Sequence, residues 1–180
     1  MKKFFVFIWE ITKIVVISLA IIIPVRYYLI QPFFVRGASM QPNFKHGEYL
    51  VIDEISYRFE RPQRGQAIVF KYPKDPSQYY IKRIIGLPGE TIEIKDKQVI
   101  IYNQQFPQGI ILDESAYLRN GQATWGDIKM ELGPDEYFVL GDNRGASSDS
   151  RQWGPLPEKY IIGRVWLRAW PFDRAEVFSY

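Results

Sequence analysis

The sequence predicts a mainly β domain, a coiled sheet or partly open barrel, tethered by one N-terminal transmembrane helix. Residues 4–25 are almost continuously apolar. After Gln31 the helical periodicity largely disappears, and short β-rich runs alternate with Gly and Pro turn signals. The chain has 180 residues, of which 47% are hydrophobic. This length is sufficient for an anchor at residues 1–30 and one domain with its own core at residues 31–180.

The N-terminal segment MKKFFVFIWEITKIVVISLAIIIPVRYYLI is interpreted as an uncleaved membrane anchor. Its uninterrupted apolar part, residues 14–25, is too short alone, but it reaches the roughly 20 residues that span a bilayer when it is extended back to Phe4. Glu10 and Lys13 interrupt it, and their spacing allows them to pair on one helical face. A cleaved secretory signal is disfavoured because no small-x-small site follows the apolar core. A buried helix is disfavoured because apolar residues surround this segment on all faces.

The orientation of this anchor follows from its charges. Lys2 and Lys3 favour a cytoplasmic N-terminus. The rest of the chain is then expected on the outer, periplasmic side of a bacterial-type cytoplasmic (inner) membrane, as a single-pass protein in contact with the lipid bilayer.

Seven short runs downstream predict strands, and the segments RPQRG, YPKDPS, GLPGE and WGPLP separate some of them. Asp96 and Lys97, between two of these runs, predict a tight hairpin. The more polar segment at about 91–135 is interpreted as a small β insertion. The predicted strands are residues 49–55, 66–72, 79–85, 91–95, 98–102, 136–140 and 162–170.

Composition excludes several kinds of site. The chain has no cysteine, which excludes disulfides and a thiol nucleophile. His46 is the single histidine, so a zinc site built from several histidines is excluded too. No spaced acidic loop suggests another metal. The net charge of +3 is mild, and no dense basic tract with interleaved aromatic residues predicts nucleic-acid binding.

Ser39, in RGASMQPNF, is a candidate nucleophile, although a lone serine is ordinarily a turn residue or a helix cap. His46 is a poor candidate for its base, because KHGEY has the character of an exposed turn. A lysine can replace histidine only when it is neutral, and desolvation lowers a lysine pKa by disfavouring the ammonium. The sequence should therefore contain a lysine among apolar residues on a rigid element.

Lys82, in YYIKRIIGLPGE, meets this requirement. In a strand, Tyr80, Lys82 and Ile84 project to one face and Arg83 to the other. The alternative is that Lys82 lies on an edge strand and extends its amine into solvent.

The loop GDNRGASSDSR, residues 141–151, follows a predicted buried strand. Its acids and arginines can form charge-assisted pairs that hold one loop conformation, and its serine hydroxyls can orient an amine. A solvated surface loop is the alternative, but this reading explains only the polarity and not the alternation of acids, bases and hydroxyls.

The segments GASMQP, RGQAIVF, YIKRIIGLPGE and GDNRGASSDSR, in this order behind one anchor, resemble the motif series of bacterial type I signal peptidases. The resemblance covers nearly the whole chain and is weakest at about 96–135. It implies a membrane-bound serine endopeptidase with a Ser/Lys dyad and no cofactor. Its substrates would be exported preproteins, cut after small-x-small sites to remove the signal peptide.

The resemblance also implies roles for individual residues. Ser39 matches the nucleophile, Lys82 the general base, and Ser147 the serine that hydrogen-bonds the lysine amine. Five residues of this chain match family residues that brace the site: Arg83, Asp142, Arg144, Asp149 and Arg151. Five others match family residues that form shallow pockets for small substrate side chains: Phe33, Val35, Met40, Tyr80 and Ile81.

Two positions depart from the family pattern. Gly37 occupies a position at which some members have a serine whose hydroxyl helps to bind the oxyanion, and losing one such donor can cost roughly 3 kcal/mol in the transition state. The oxyanion would then depend on the Ser39 backbone N–H, with a water or another donor. Asn43 follows Pro42, where a threonine is commoner.

Two other functions remain open from the sequence. A non-enzymatic, membrane-tethered β domain that binds an envelope partner would leave Ser39 and Lys82 far apart and exposed. A self-cleaving repressor shares the Ser/Lys chemistry, but the anchor stands where its DNA-binding domain is needed. The sequence does not indicate which preproteins are cut or which oligomeric state the chain adopts.

Overall fold

The computed structural model describes residues 2–28, 30–119 and 122–180 and consists of one long helix followed by two antiparallel sheets. The helix, α1, covers Lys2–Tyr28. Among the residues described, no helix has the length and hydropathy needed to cross a membrane.

The larger sheet contains eight strands in the order β1-β2-β11-β3-β4-β9-β10, with β12 paired to β11. The second sheet has the order β7-β6-β5-β8. Neither order closes on itself, so both sheets are open. A short helix, α2 (Ser150–Trp153), follows β9. The strands are β1 (Ile30–Phe34), β2 (Tyr49–Asp53), β3 (Ala67–Tyr72), β4 (Asp75–Gly86), β5 (Thr91–Lys95), β6 (Gln98–Tyr102), β7 (Ile110–Ile111), β8 (Ile128–Glu131), β9 (Glu136–Leu140), β10 (Leu156–Pro157), β11 (Ile161–Trp170) and β12 (Glu176–Val177).

The predicted mainly β class is confirmed, and all seven predicted runs form strands. The four strands of the second sheet, β5 to β8, lie within the segment interpreted as an insertion. The sequence reading missed β1, which carries Pro32; proline is tolerated there because β1 is an edge strand. It also placed a long break at YPKDPS, whereas only Pro73 and Lys74 form the turn between β3 and β4.

The turn between β5 and β6 has the predicted tight geometry. Asp96 and Lys97 have φ values of 51° and 66°, and Lys95 pairs with Gln98. Positive φ at both central residues is the feature of a type I′ turn, whose twist matches that of the flanking strands. The hairpin therefore fixes the register of the second sheet.

The centre of the larger sheet is covered on both faces. Ala67 and Val69 of β3 belong to one buried apolar cluster, while Ile68 and Phe70 belong to another. Alternate residues of a strand point to opposite faces, so β3 is packed from both sides. This packing makes β3 and its partner β4 a rigid base for the side chains that β4 carries.

Two strand edges of the larger sheet remain open. β1 pairs only with β2, and β9 pairs with β4 only from Arg83 to Gly86. The first part of β4 therefore pairs with β3 alone within the described chain. An open edge of this kind can accept an extended peptide by main-chain hydrogen bonds.

Candidate active site

Ser39 lies in the loop that joins β1 to β2. The ends of this loop are tied by a hydrogen bond from Val35 N to Glu48 O at 2.9 Å. Within it, Phe44 N donates to Met40 O at 2.9 Å, and both side chains are fully buried. The loop is therefore anchored by its own apolar residues, with Ser39 half-buried between them and the surface.

Lys82 approaches Ser39 from β4. Its Nζ atom lies 2.8 Å from Ser39 Oγ and 2.9 Å from Ile81 O, and it stands 5.3 Å from the centre of the Tyr80 ring. Only 4% of Lys82 is exposed. The non-enzymatic alternative expected these two residues to be far apart and exposed, and this arrangement is the opposite.

Burial lowers the pKa of the Lys82 amine from its usual 10.5 to about 8. The cause is desolvation, which disfavours the ammonium; Asp149 and Asp142 act in the opposite direction. No carboxylate forms an ion pair with Lys82 within the described residues. A large fraction of the amine is therefore neutral at moderately alkaline pH, and a neutral amine has a lone pair for a hydroxyl proton.

Ser147 does not make the hydrogen bond that the resemblance implied. Lys82 Nζ bonds to Ser39 Oγ and Ile81 O, whereas Ser147 Oγ is buried without a partner in the described structure. It is nevertheless close to the site, because a Cβ added at Gly141 would overlap both Ser147 Oγ and Ser39 O. Gly141 thus allows the polar loop to approach Ser39.

Two buried arginine–carboxylate pairs flank the dyad. Arg83 Nε and Nη2 donate to the two oxygens of Asp142 at 2.8 and 2.6 Å. Arg151 Nε and Nη2 donate to the two oxygens of Asp149 at 2.8 and 2.9 Å. Such bidentate pairs fix geometry as well as charge. Asp149 Oδ2 also accepts from Gly141 N at 3.1 Å, which joins the pair to the loop.

Arg144 forms its ion pair with a residue outside its own motif. Its guanidinium pairs with Glu114, at 2.5 Å from Nη2 to Oε1, and also contacts Thr124. Arg151 Nη2 donates to Arg144 O at 2.7 Å. Glu114 and Thr124 lie in the segment where the resemblance was weakest, and no sequence pattern pointed to them.

The groove beside the dyad has a volume of about 550 Å³. Four of the five residues expected in substrate pockets line it: Phe33, Val35, Tyr80 and Ile81. Met40 is different, because it is only 1% exposed and packs in the core beneath the loop. Its sulfur atom accepts a contact from Asp142 N at 3.4 Å, so in this structure Met40 supports the site from below.

Two asparagines contribute contacts that the sequence reading missed. Asn143 N donates to Ser39 O at 2.9 Å, and its side chain donates to Ala38 O at 3.1 Å. Asn43 Nδ2 lies 2.8 Å from Asp142 Oδ2 and 2.7 Å from Tyr117 O. Both residues stood inside the quoted motifs, but nothing in their spacing indicated which partners they would reach.

His46 has a local role. It is exposed, and its Nδ1 atom accepts a hydrogen bond from Gly37 N at 3.3 Å. This contact closes the turn ahead of Ser39 and agrees with the interpretation of His46 as a turn residue.

Comparison with known proteins places this sequence in a family. The profile of the family described as signal peptidase, peptidase S26, matches residues 8–170. Signal peptidase I of Leptolyngbya laminosa is 35% identical over 170 residues, covering 90% of this chain and 79% of that protein. Signal peptidase I V of Bacillus subtilis is 35% identical over 157 residues, covering 83% and 92%.

Two further proteins carry similar names. Probable signal peptidase I-2 of Synechocystis sp. is 32% identical over 175 residues, covering 94% of this chain and 77% of that protein. A crystal structure of a signal peptidase I from Enterococcus faecalis is 30% identical, with a TM-score of 0.48, over 59% of this chain and 97% of that one. Because the family profile spans most of the sequence, this chain belongs to the signal peptidase family, peptidase S26.

Proposed function

We propose that this signal peptidase removes N-terminal signal peptides from exported preproteins with Ser39 as nucleophile and Lys82 as general base. The observation that carries the proposal is the 2.8 Å contact between the Ser39 hydroxyl and an amine that is almost fully buried. A hydroxyl becomes an effective nucleophile when an adjacent base accepts its proton.

The reaction follows from this contact. Neutral Lys82 takes the Ser39 proton as Oγ attacks the scissile carbonyl carbon, and the resulting ammonium gives that proton to the leaving amine. Water then attacks the acyl-enzyme, with Lys82 again acting as base, and releases the carboxylate product. The Ser39 N–H forms no hydrogen bond within the described residues, so this donor is free to bind the oxyanion.

The open edges of β1 and β4 are suited to hold the substrate. An extended peptide between them can use main-chain hydrogen bonds, as in other cases of strand addition. Its first and third side chains before the cut would point into the groove beside Phe33, Val35 and Ile81. The family resemblance implies shallow pockets at these positions, which would favour small residues such as alanine.

No helix meets the length and hydropathy of a membrane span within the described residues. We nevertheless propose, from the exposed apolar surface of α1 and the apolar run of the sequence, that this helix holds the protein in the membrane as a single span with a cytoplasmic N-terminus. Phe4, Phe5 and Trp9 are each more than 60% exposed, and Ile14 and Ile17 are similarly uncovered. Leaving such side chains in water forgoes roughly 1.5–3 kcal/mol each relative to burial. In sequence, the apolar run continues to Val25. Burial in lipid would remove this apolar surface from water. An enzyme confined to the membrane that also holds its precursors would encounter them more often.

The dyad predicts that Lys82→Arg abolishes cleavage, because a guanidinium stays protonated near neutral pH and cannot act as a base. The loss should be at least a hundredfold in kcat/KM on a signal-peptide substrate in detergent, the lower end of general-base contributions. Lys71→Arg on the neighbouring strand is the matched control and should keep wild-type activity. Robust cleavage by Lys82→Arg would remove this lysine from the mechanism.

The pH dependence of kcat/KM should report the pKa of Lys82. Because only the neutral amine accepts a proton, activity should rise with pH and level off above the pKa of about 8. Initial rates on one peptide between pH 6 and pH 9.5 measure this profile. A flat profile across that range would argue against a lysine base.

Lys82 should also make the folded state less stable at neutral pH. Its pKa is 10.5 ordinarily and about 8 when folded, so the protonated amine disfavours folding below pH 8, and this penalty disappears above pH 10.5. Lys82→Met should therefore unfold at a higher urea concentration than wild type at pH 7. The difference in the free energy of unfolding between the variant and wild type should decrease by about 2 kcal/mol by pH 10. An advantage independent of pH would show that charge is not its cause.

The membrane proposal predicts that the full-length chain stays in the membrane pellet after an alkaline carbonate wash. Protease added to the outer face should digest residues 31–180, whereas protease confined to the cytoplasmic face should not reach them. Replacing both Val16 and Ile17 by Asp should release the chain from the pellet, since charges at the centre of a span are costly. Recovery of the wild-type chain in the soluble fraction would contradict the anchor.

A further inference from the structure

Among the described residues that line the groove beside the dyad, Arg36 is the one charged side chain, and none of them is acidic. Arg36 is exposed, lies three positions before Ser39, and has no hydrogen-bond or ion-pair partner within the described residues. Its positive charge is therefore not neutralised by the protein at the place where the proposed substrate would lie.

Burial alternates along the segment that leads to Arg36. Phe33 and Val35 pack against the core, whereas Phe34 and Arg36 are exposed. Arg36 is therefore an exposed lining residue of the groove, and the alternation indicates that it points to the opposite side of its segment from Phe33 and Val35.

An extended peptide alternates in the same way. If its first and third residues before the cut enter the groove, the middle residue of the small-x-small site faces outward, on the side where Arg36 lies. We propose that Arg36 sets a charge preference at this middle position, favouring an acidic residue and disfavouring a basic one. The proposal rests on the proposed function and names a substrate class for the same site.

The expected size of the preference follows from solvent exposure. An exposed guanidinium–carboxylate pair is weak. Relative to the peptide with Gln at the middle position, we expect kcat/KM to be roughly threefold higher with Glu and roughly threefold lower with Lys. The ratio of kcat/KM between Glu and Lys peptides should then be about tenfold at low salt. It should decrease at high salt, because salt screens exposed charges.

Three peptides test this preference. They share all flanking residues and differ only in the middle position, as Ala-Glu-Ala, Ala-Gln-Ala and Ala-Lys-Ala. Full-length wild type, Arg36→Gln and Arg36→Glu are compared in neutral detergent. The Glu/Lys ratio should approach one in Arg36→Gln and invert in Arg36→Glu. A ratio is used because any general loss of activity cancels from it. Lys95→Gln, an exposed charge on the second sheet, should keep the wild-type ratio.

Other outcomes would overturn the proposal. An unchanged Glu/Lys ratio in Arg36→Gln would exclude a role for Arg36 in selection. The same assays with added phosphatidylglycerol address lipid contact: if Arg36→Gln changes only the response to this lipid, Arg36 serves the membrane surface instead. If wild type cuts all three peptides equally while Ser39→Ala cuts none, the selectivity proposal fails and the proposed dyad survives.

Discussion

The contact between the Lys82 amine and the Ser39 hydroxyl is the interaction on which the proposed site depends, and it can serve catalysis only when the amine is uncharged. An ammonium at the same 2.8 Å could only donate to the hydroxyl and could take no proton from it. Keeping the amine neutral requires removing it from water, and the packed strands β3 and β4 provide this environment. The stability lost by burying an ionisable amine must then be offset by the apolar clusters on both sides of the sheet.

The carboxylates near the dyad would defeat this arrangement if they were left unpaired. Asp149 and Asp142 both favour the charged form of Lys82. Each is held in a bidentate pair with an arginine, Arg151 and Arg83 respectively, and each pair is almost fully buried. The arginines thus do more than brace the loop: their positive charges offset much of the negative potential that the amine would otherwise experience. A rigid polar loop can in this way stand beside a neutral lysine.

Much of this could be predicted from the sequence, because the signals were local. The β runs, the turn at Asp96 and Lys97, and the proximity of Ser39 and Lys82 all came from patterns within short segments or from the motif order. What was missed depends on contacts between distant segments. The pairing of Arg144 with Glu114 joins residues thirty positions apart, and the position of Met40 beneath the loop depends on how the core packs. The expected bond from Ser147 to the amine failed for the same reason, since the direction of the lysine side chain is set by its surroundings.

The groups that hold the backbone of Ala38 and Ser39 are uncharged, whereas charged groups reach the same loop farther along, where Arg168 Nη1 donates to Asn43 O. Asn143 holds the backbone of Ser39 and Ala38 through amide donors, and Met40 packs below. Asn43 links the loop to Asp142 through a neutral amide. This separation has a physical reason: a dipole can fix a backbone position to within a hydrogen bond, yet its field falls off faster with distance than that of a charge. The backbone at Ala38 and Ser39 can therefore be held in place without adding a charge that would alter the protonation of Lys82.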